Sequence, residues 1–369
     1  MVYRAENVGS LLRPAYLMDA RRALESGGLS IREYKRVEDR AVDDAIALQR
    51  DCGLDVLSDG EARRLVFTAS LIDAVEGIDG PPPPPTTWRG DEAYGTQDVT
   101  RTVAQHSVSA KLRRVRSVAS EEFTYLRART DRPAKATLPS PLMLGKWWDP
   151  SSSTQAYADP FDAFADATDI LKEEIRELVR LGCTYVQIDA TDIATLADPA
   201  VRRQYDRLGI GAARMLGEGI ELLDSITDVA AGGELTFAIH LCKGNSESRY
   251  LAAGAYDAIA DDVFPRLRGY DVLLLEYDDQ RSGGFEPIEK TLDHQVVVLG
   301  LVSSKNPVVE SDDQLAERVR QAARFVPLER LAISCQCGFA STAGGNRITP
   351  QIQREKLELV GRTAERMWG

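Results

Sequence analysis

The sequence predicts an α/β chain folded as a (β/α)8 TIM barrel, and two observations predict it. Eight short apolar runs, at 5–10, 55–58, 134–138, 184–188, 235–239, 271–275, 295–301 and 331–333, alternate with long patterns of helical period. That alternation belongs to a parallel sheet with crossover helices. Residues with reactive side chains also recur just past the ends of these runs. Barrel folds place their chemistry at the C-terminal ends of the strands.

The elements can be justified in order. After the first run, 31–52 has helical period, with Ser30 as its cap and Glu33 three residues on, the spacing of a capping box. The patterns 161–181 and 311–325 are further helices, and 349–368 closes the chain with Leu357, Val360 and Ala364 at helical spacing. The stretch 78–130 breaks the rhythm. It holds the proline run 81–85, Gly90, Gly95 and then a basic segment, 101–117. It reads as an insertion after the second strand, with the prolines as a stiff spacer. The whole chain, 1–369, otherwise reads as one barrel.

With 369 residues and 43% apolar side chains, the chain has ample material for one large core. A net charge of −12 and the lack of a basic stripe argue against nucleic acid as a partner. No run is long enough to span a membrane, and MVYRAENVGS has no apolar segment of the kind found in export signals. The five cysteines show no paired spacing, which fits a reducing compartment. The expectation is a cytoplasmic enzyme, possible as a homo-oligomer, acting on small molecules.

Four residues carry the metal reading. His240 and Cys242 lie in IHLCKGN, Glu276 ends VLLLE, and Cys337 lies in CQCGFAS. Positions i and i+2 on a strand face one side, so His240 and Cys242 can reach one ion. One imidazole, two thiolates and a carboxylate suit zinc, and the carboxylate can give way to a reactant. A thiol substrate is the reactant this set favours. Cys52 and Cys183 sit in apolar contexts and read as small hydrophobes. Cys335 is two residues from Cys337 and competes with it for the metal.

Other candidates also follow strands: Ser10 after the first, Asp59 and Glu61 after the second, Trp147 and Trp148 after the third, Asp189 after the fourth, Asp278 after the sixth and Lys305 after the seventh.

Seven motifs in order carry a resemblance: VGSLLRP, GLDVLSDGEARR, YVQID, HLCKGN, LLLEYDDQRSGGFEP, VVVLGLVSSK and CQCGFAS. Over nearly its whole length the chain resembles the catalytic half of cobalamin-independent methionine synthase, and more closely that family's short single-barrel relatives. The resemblance implies a zinc ion on His240, Cys242, Glu276 and Cys337, the last because it precedes Gly338-Phe339. It implies that Ser10 meets the carboxylate of homocysteine and that Glu61 and Asp189 hold its ammonium. Trp147 and Trp148 would stack on a flat or apolar donor or cover the barrel mouth.

The chain departs from methionine-forming relatives in reading Asp189-Ala190-Thr191 where they commonly read aspartate–glutamate–proline, and in lacking their amino-terminal barrel. Folate as the methyl donor is therefore an open question. A second branch, the epoxyalkane:coenzyme M transferases, looks like the same short barrel. Its sulfonate substrate would need a cation such as Arg63, Arg64 or Lys305.

Both branches share one expected reaction, in which a zinc-held thiolate attacks an electrophilic carbon. Asp59, Asp189, Asp278 or His106 would relay the proton. Two rivals from other classes are a zinc hydrolase, which would favour histidine-rich ligation although only three histidines exist, and a closed structural zinc site, which would not use Glu276.

Overall fold

A computed structural model describes residues 2–92, 95–102, 104–230 and 235–369. Seven parallel strands form the centre: β1 (Ala5–Glu6), β2 (Ala136–Pro139), β3 (Tyr185–Asp189), β4 (Thr236–Leu241), β5 (Val272–Glu276), β6 (Val296–Val302) and β7 (Leu331–Cys335). Their order is β1-β7-β6-β5-β4-β3-β2, so chain neighbours are sheet neighbours from β2 to β7, and β1 pairs with β7. Strands such as VLLLE and YVQID are buried along their whole length, as strands covered on both faces must be. The sheet curls into a TIM-like barrel with helices outside.

The expected second strand is not a full strand. Val56 bridges Glu6 and Leu57 bridges Ala134, so 55–58 joins the two ends of the sheet through a few backbone bonds. Asp55 N donates to Ala5 O at 2.8 Å, and Leu57 N to Pro133 O at 2.9 Å. The ladder stops because the Gln49 side chain takes both backbone groups of Ser58: its Nε2 donates to Ser58 O at 2.8 Å and its Oε1 accepts from Ser58 N at 3.0 Å. The first strand is also shorter than 5–10, because Asn7 leaves the ladder and donates its side-chain amide to Gly9 O at 2.6 Å.

The expected helices form with their caps. Ile31–Asp51 has the capping box of Ser30 and Glu33, and Asp312–Ala322 has one from Ser311 and Gln314. Pro160–Arg180 starts at Asp159, and Pro350–Trp368 at Thr349. No helix among the described residues is long and apolar enough to cross a membrane.

The stretch expected as an insertion is partly different in kind. Two short antiparallel ladders, Val75–Glu76 with Arg113–Arg114 and Thr86–Trp88 with Val99–Arg101, lie outside the main sheet. Ala93, Tyr94 and Val103 fall outside the described residues. The helix Ser120–Arg127, however, buries Phe123 and Leu126 in the main core. The basic segment is held by the helix Pro160–Arg180: Arg114 pairs with Glu174 and, at 2.6 Å, with Glu177.

Candidate active site

A cavity of about 770 Å³ opens at the C-terminal ends of the strands. Ser10, Glu61, Arg63, Arg64, His106, Trp147, Asp189, His240, Cys242 and Cys337 line it. Asp59, Trp148, Glu276, Asp278 and Lys305 do not.

His240 lies near the end of β4 and Cys242 one residue past it, while Cys337 lies two residues past the end of β7. Two bonds hold that second loop: Gln336 N donates to Val302 O at 2.8 Å and Phe339 N to Ser10 O at 2.7 Å. Asn245 Nδ2 donates to Gly338 O at 2.7 Å and ties the two sulfur-bearing loops together. The donor atoms of His240, Cys242 and Cys337 all lie within 4.8 Å of one another, and all three residues are buried.

Three observations test whether a metal fits. The two sulfurs are 3.9 Å apart, close to the separation of about 3.8 Å implied by two thiolates on one tetrahedral zinc. Both ring nitrogens of His240 are buried with no hydrogen-bond partner among the described residues, a costly state for a polar group unless something else engages it. Cys242 is pulled well below the usual thiol range by its contact with Cys337 and by His240, against the effect of burial. The residues fit a thiophilic divalent cation.

Glu276 stands apart from this group. Its Oε2 accepts from Lys243 N at 2.7 Å, its Oε1 from Lys305 Nζ at 3.2 Å, and Arg281 is 3.6 Å away. Burial alone would raise its carboxyl, but Lys305, Lys243 and Arg281 hold it well below the usual range. Lys305 is spent on Glu276 and Asp278 rather than facing the cavity. Asp278, whose Oδ2 accepts from Ser303 Oγ at 2.7 Å, is pushed up to about 6 by burial despite Lys305. Cys335 is outside the donor group, and burial pushes its thiol up. Of the two cysteines, it is Cys337 that lies with His240 and Cys242.

Two carboxylates, Asp189 and Glu61, line the same cavity. Asp189 is the register partner of His240. Gln187 Nε2 donates to its Oδ1 at 2.7 Å, and Lys135 Nζ in turn donates to Gln187 Oε1 at 2.8 Å. Burial pushes Asp189 up to about 7, with His240 opposing and Glu61 adding.

Glu61 has φ of 51°, a left-handed conformation that costs a non-glycine residue about 1 kcal/mol or more and gathers at functional sites. Asp59 serves this turn, its Oδ1 accepting from Glu61 N at 2.9 Å. Thr137 Oγ1 donates to Glu61 Oε1 at 3.1 Å, while Oε2 is buried with no partner among the described residues. Gly9 is required beside it, because a Cβ there would stand 2.8 Å from Glu61 Oε1. Leu11 N donates to Gly60 O at 2.9 Å, which fixes the Ser10 and Glu61 loops to each other.

Several residues of the site were not among the sequence candidates. Gln187 had a signal, since it is two positions before Asp189 and shares its face of β3. Thr191, whose Oγ1 is 3.5 Å from Cys242 Sγ, and Lys146, which lines the cavity beside Trp147, had none that spacing supplies.

Comparison with known proteins agrees with this architecture. Over 376 aligned residues the chain is 33% identical to YxjH, an uncharacterized protein of Bacillus subtilis, covering 99% of this chain and 95% of that one. It is 26% identical to the 5-methyltetrahydropteroyltriglutamate–homocysteine methyltransferase of Mycolicibacterium paratuberculosis, covering 90% of this chain but only 39% of that protein. Among solved structures, a B12-independent methionine synthase from Shewanella, in complex with selenomethionine, has the same fold, with a TM-score of 0.73 at 21% identity over 99% of this chain and 97% of that one. The putative vitamin-B12 independent methionine synthase of Listeria monocytogenes gives a TM-score of 0.69 at 24% identity, over 99% and 98%. The catalytic domain of cobalamin-independent synthase matches residues 4–355, and the chain belongs to that methionine synthase-like methyltransferase family.

Proposed function

We propose that this protein is a zinc-dependent transferase that moves a methyl or small alkyl group onto the sulfur of a thiol, with homocysteine as the thiol. The observation that carries the reading is the buried triad His240, Cys242 and Cys337, with both imidazole nitrogens unpartnered, in one cavity with the carboxylates Glu61 and Asp189. Glu276 would complete the metal set once it turns from Lys305, and the same lysine gives it a resting place when the thiol arrives. A zinc ion held there would lower the pKa of a thiol from about 8.5 and keep it as the nucleophilic thiolate.

The chain's own residues do the rest. Glu61, with a free Oε2, and Asp189, held by Gln187, face an ammonium. Ser10, which lines the same cavity, would meet the carboxylate of the same amino acid. Trp147, on the cavity wall, flanks the alkyl donor. Charge-assisted contacts of this kind orient a zwitterion and exclude water from its reacting end.

The rival substrate pair, coenzyme M with an epoxide, needs a free cation for the sulfonate. Arg63 is committed to Asp39 at 2.6 Å, Arg64 to Glu122 at 2.6 Å, and Lys305 to Glu276. These three are therefore engaged within the protein, and the preference for homocysteine rests on Glu61 and Asp189, which line the cavity and suit an ammonium. The reading takes the whole chain as one catalytic barrel with residues 78–130 inserted in it, working in a reducing cytoplasm, where unpaired cysteines persist. Zinc X-ray absorption tests it: homocysteine should add one sulfur to the first shell. An unchanged shell at saturating homocysteine, together with turnover of coenzyme M and epoxide, would replace it with the rival.

A further inference from the structure

Six cationic side chains line the cavity: Arg21, Lys35, Arg63, Arg64, Arg116 and Lys146. Four are paired with carboxylates, Arg21 with Glu25 at 3.5 Å, Lys35 with Glu38 at 3.2 Å, and Arg63 and Arg64 as above. Arg116 is exposed at the rim. Lys146 is different. It ends the turn Pro141–Lys146 that follows β2, directly before Trp147. Among the described residues its ammonium makes no hydrogen bond or ion pair. It stands 5.3 Å from the centre of the Tyr205 ring.

Two buried polar atoms beside it are also unpartnered among the described residues, Asp192 Oδ1 and the Tyr205 hydroxyl. Asp192 is anchored only through Oδ2, which accepts from Ser140 Oγ at 3.1 Å. It directly follows Thr191, which touches Cys242. A cation with a free proton therefore lies on the wall of the same cavity as the sulfur site.

We infer that Lys146 is the proton donor of the transfer: as the substrate sulfur takes the alkyl carbon, the Lys146 ammonium protonates the nitrogen or oxygen that leaves. The inference rests on the thiol-transfer reading above. In that step the sulfur–carbon bond forms and the carbon–nitrogen or carbon–oxygen bond breaks. The electron pair stays on the leaving atom, which takes a proton from Nζ. The thiolate loses its negative charge and the lysine its positive one, so charge balances, and the neutral amine regains its proton from water after release. The donor this requires is one with a basic leaving atom, an amine or an alkoxide.

Burial pulls the Lys146 ammonium down to about 8, with Asp192 opposing, which matches an acid working near neutral pH. The titratable groups facing it are Asp192, from the helix Thr191–Ala194, and Tyr205, from the helix Pro199–Arg207. Activity falls as pH rises through about 8, because the free amine has no proton to give.

The test uses zinc-loaded wild type, K146M and K146R with homocysteine. Two donors need a proton on the leaving atom, 5-methyltetrahydrofolate and epoxypropane, and one does not, methyl iodide. The readout is the ratio of rates. In K146M the rate with the proton-demanding donor that wild type uses should fall by about 100-fold relative to the methyl iodide rate, and K146R should not restore it. The fall in rate above about pH 8 should vanish in K146M. Equal losses with all donors would make Lys146 structural, and rescue by arginine would make it an anion clamp; either overturns the inference. So does a wild type that uses methyl iodide alone. If wild type alkylates homocysteine with no donor, the thiol-transfer reading falls first and the inference with it.

Discussion

The two glutamates at the barrel mouth stand in opposite surroundings. Glu276, at the end of β5, has both oxygens engaged, by Lys305 Nζ and the Lys243 amide, with Arg281 close by. Glu61, on the loop beyond 55–58, sits in a strained backbone conformation with one oxygen unpartnered. The β4–β7 side of the mouth is thus neutralised within the protein. On the β1–β3 side Arg64 stands 3.6 Å from Glu61 Oε1, but Oε2 keeps its hydrogen-bonding capacity for something else. On the proposed reading, one side would hold a metal with an acid kept in reserve. The other would hold the cationic end of a ligand.

That contrast can be broken most severely at the sulfurs. Cys242→Ser or Cys337→Ser should lose bound zinc and activity together, measured by metal analysis and turnover. Full zinc content in Cys337→Ala would move the assignment to Cys335. A smaller but still large effect is expected at Lys305. Lys305→Met leaves Glu276 buried with one cation fewer, which should cost about 3–5 kcal/mol in denaturant unfolding. A variant as stable as wild type would mean that Lys243 and Arg281 suffice.

On the other side, Asp189→Asn should weaken homocysteine by about 1.5–3 kcal/mol while zinc stays at one per chain. Unchanged use of homocysteine would return the sulfonate thiol to the lead.

The smallest effect concerns pH. Burial pushes Asp192 up to about 7, against about 3.9 in an unfolded chain. The folded state then binds this proton more tightly than the unfolded one. Stability from this group is full below about pH 4, declines as pH rises toward 7 and is level above. Asp192→Asn should flatten that slope by about 1 kcal/mol between pH 6 and 7, read as the change in urea midpoint.

Much of the fold was legible because continuous apolar runs mark buried parallel strands. Runs such as 271–275 and 295–301 sit within one residue of β5 and β6. The 55–58 run was read as a strand, but its ladder ends where the side chain of Gln49, nine residues away from Ser58, takes the backbone groups; no local pattern reveals that. The sulfur–imidazole group was legible because i, i+2 spacing on a strand fixes a shared face. The orientation of Glu276 was not, since it depends on Lys305, 29 residues away. Lys146 was invisible for the same reason. Its standing in the cavity shows only once Arg21, Lys35, Arg63 and Arg64 are seen with their partners elsewhere in the chain.

The joint between β1 and β2 has one more consequence. Ser10 and Glu61 stand on the two lips of that joint, where isolated bridges replace a full ladder. Regions with few backbone bonds exchange their amide hydrogens first. An amino acid gripping both residues would act as a clasp across the weakest closure of the ring. Deuterium uptake at 55–61 should therefore slow when homocysteine is bound, and the substrate would be a stabilising part of the barrel wall as well as its cargo.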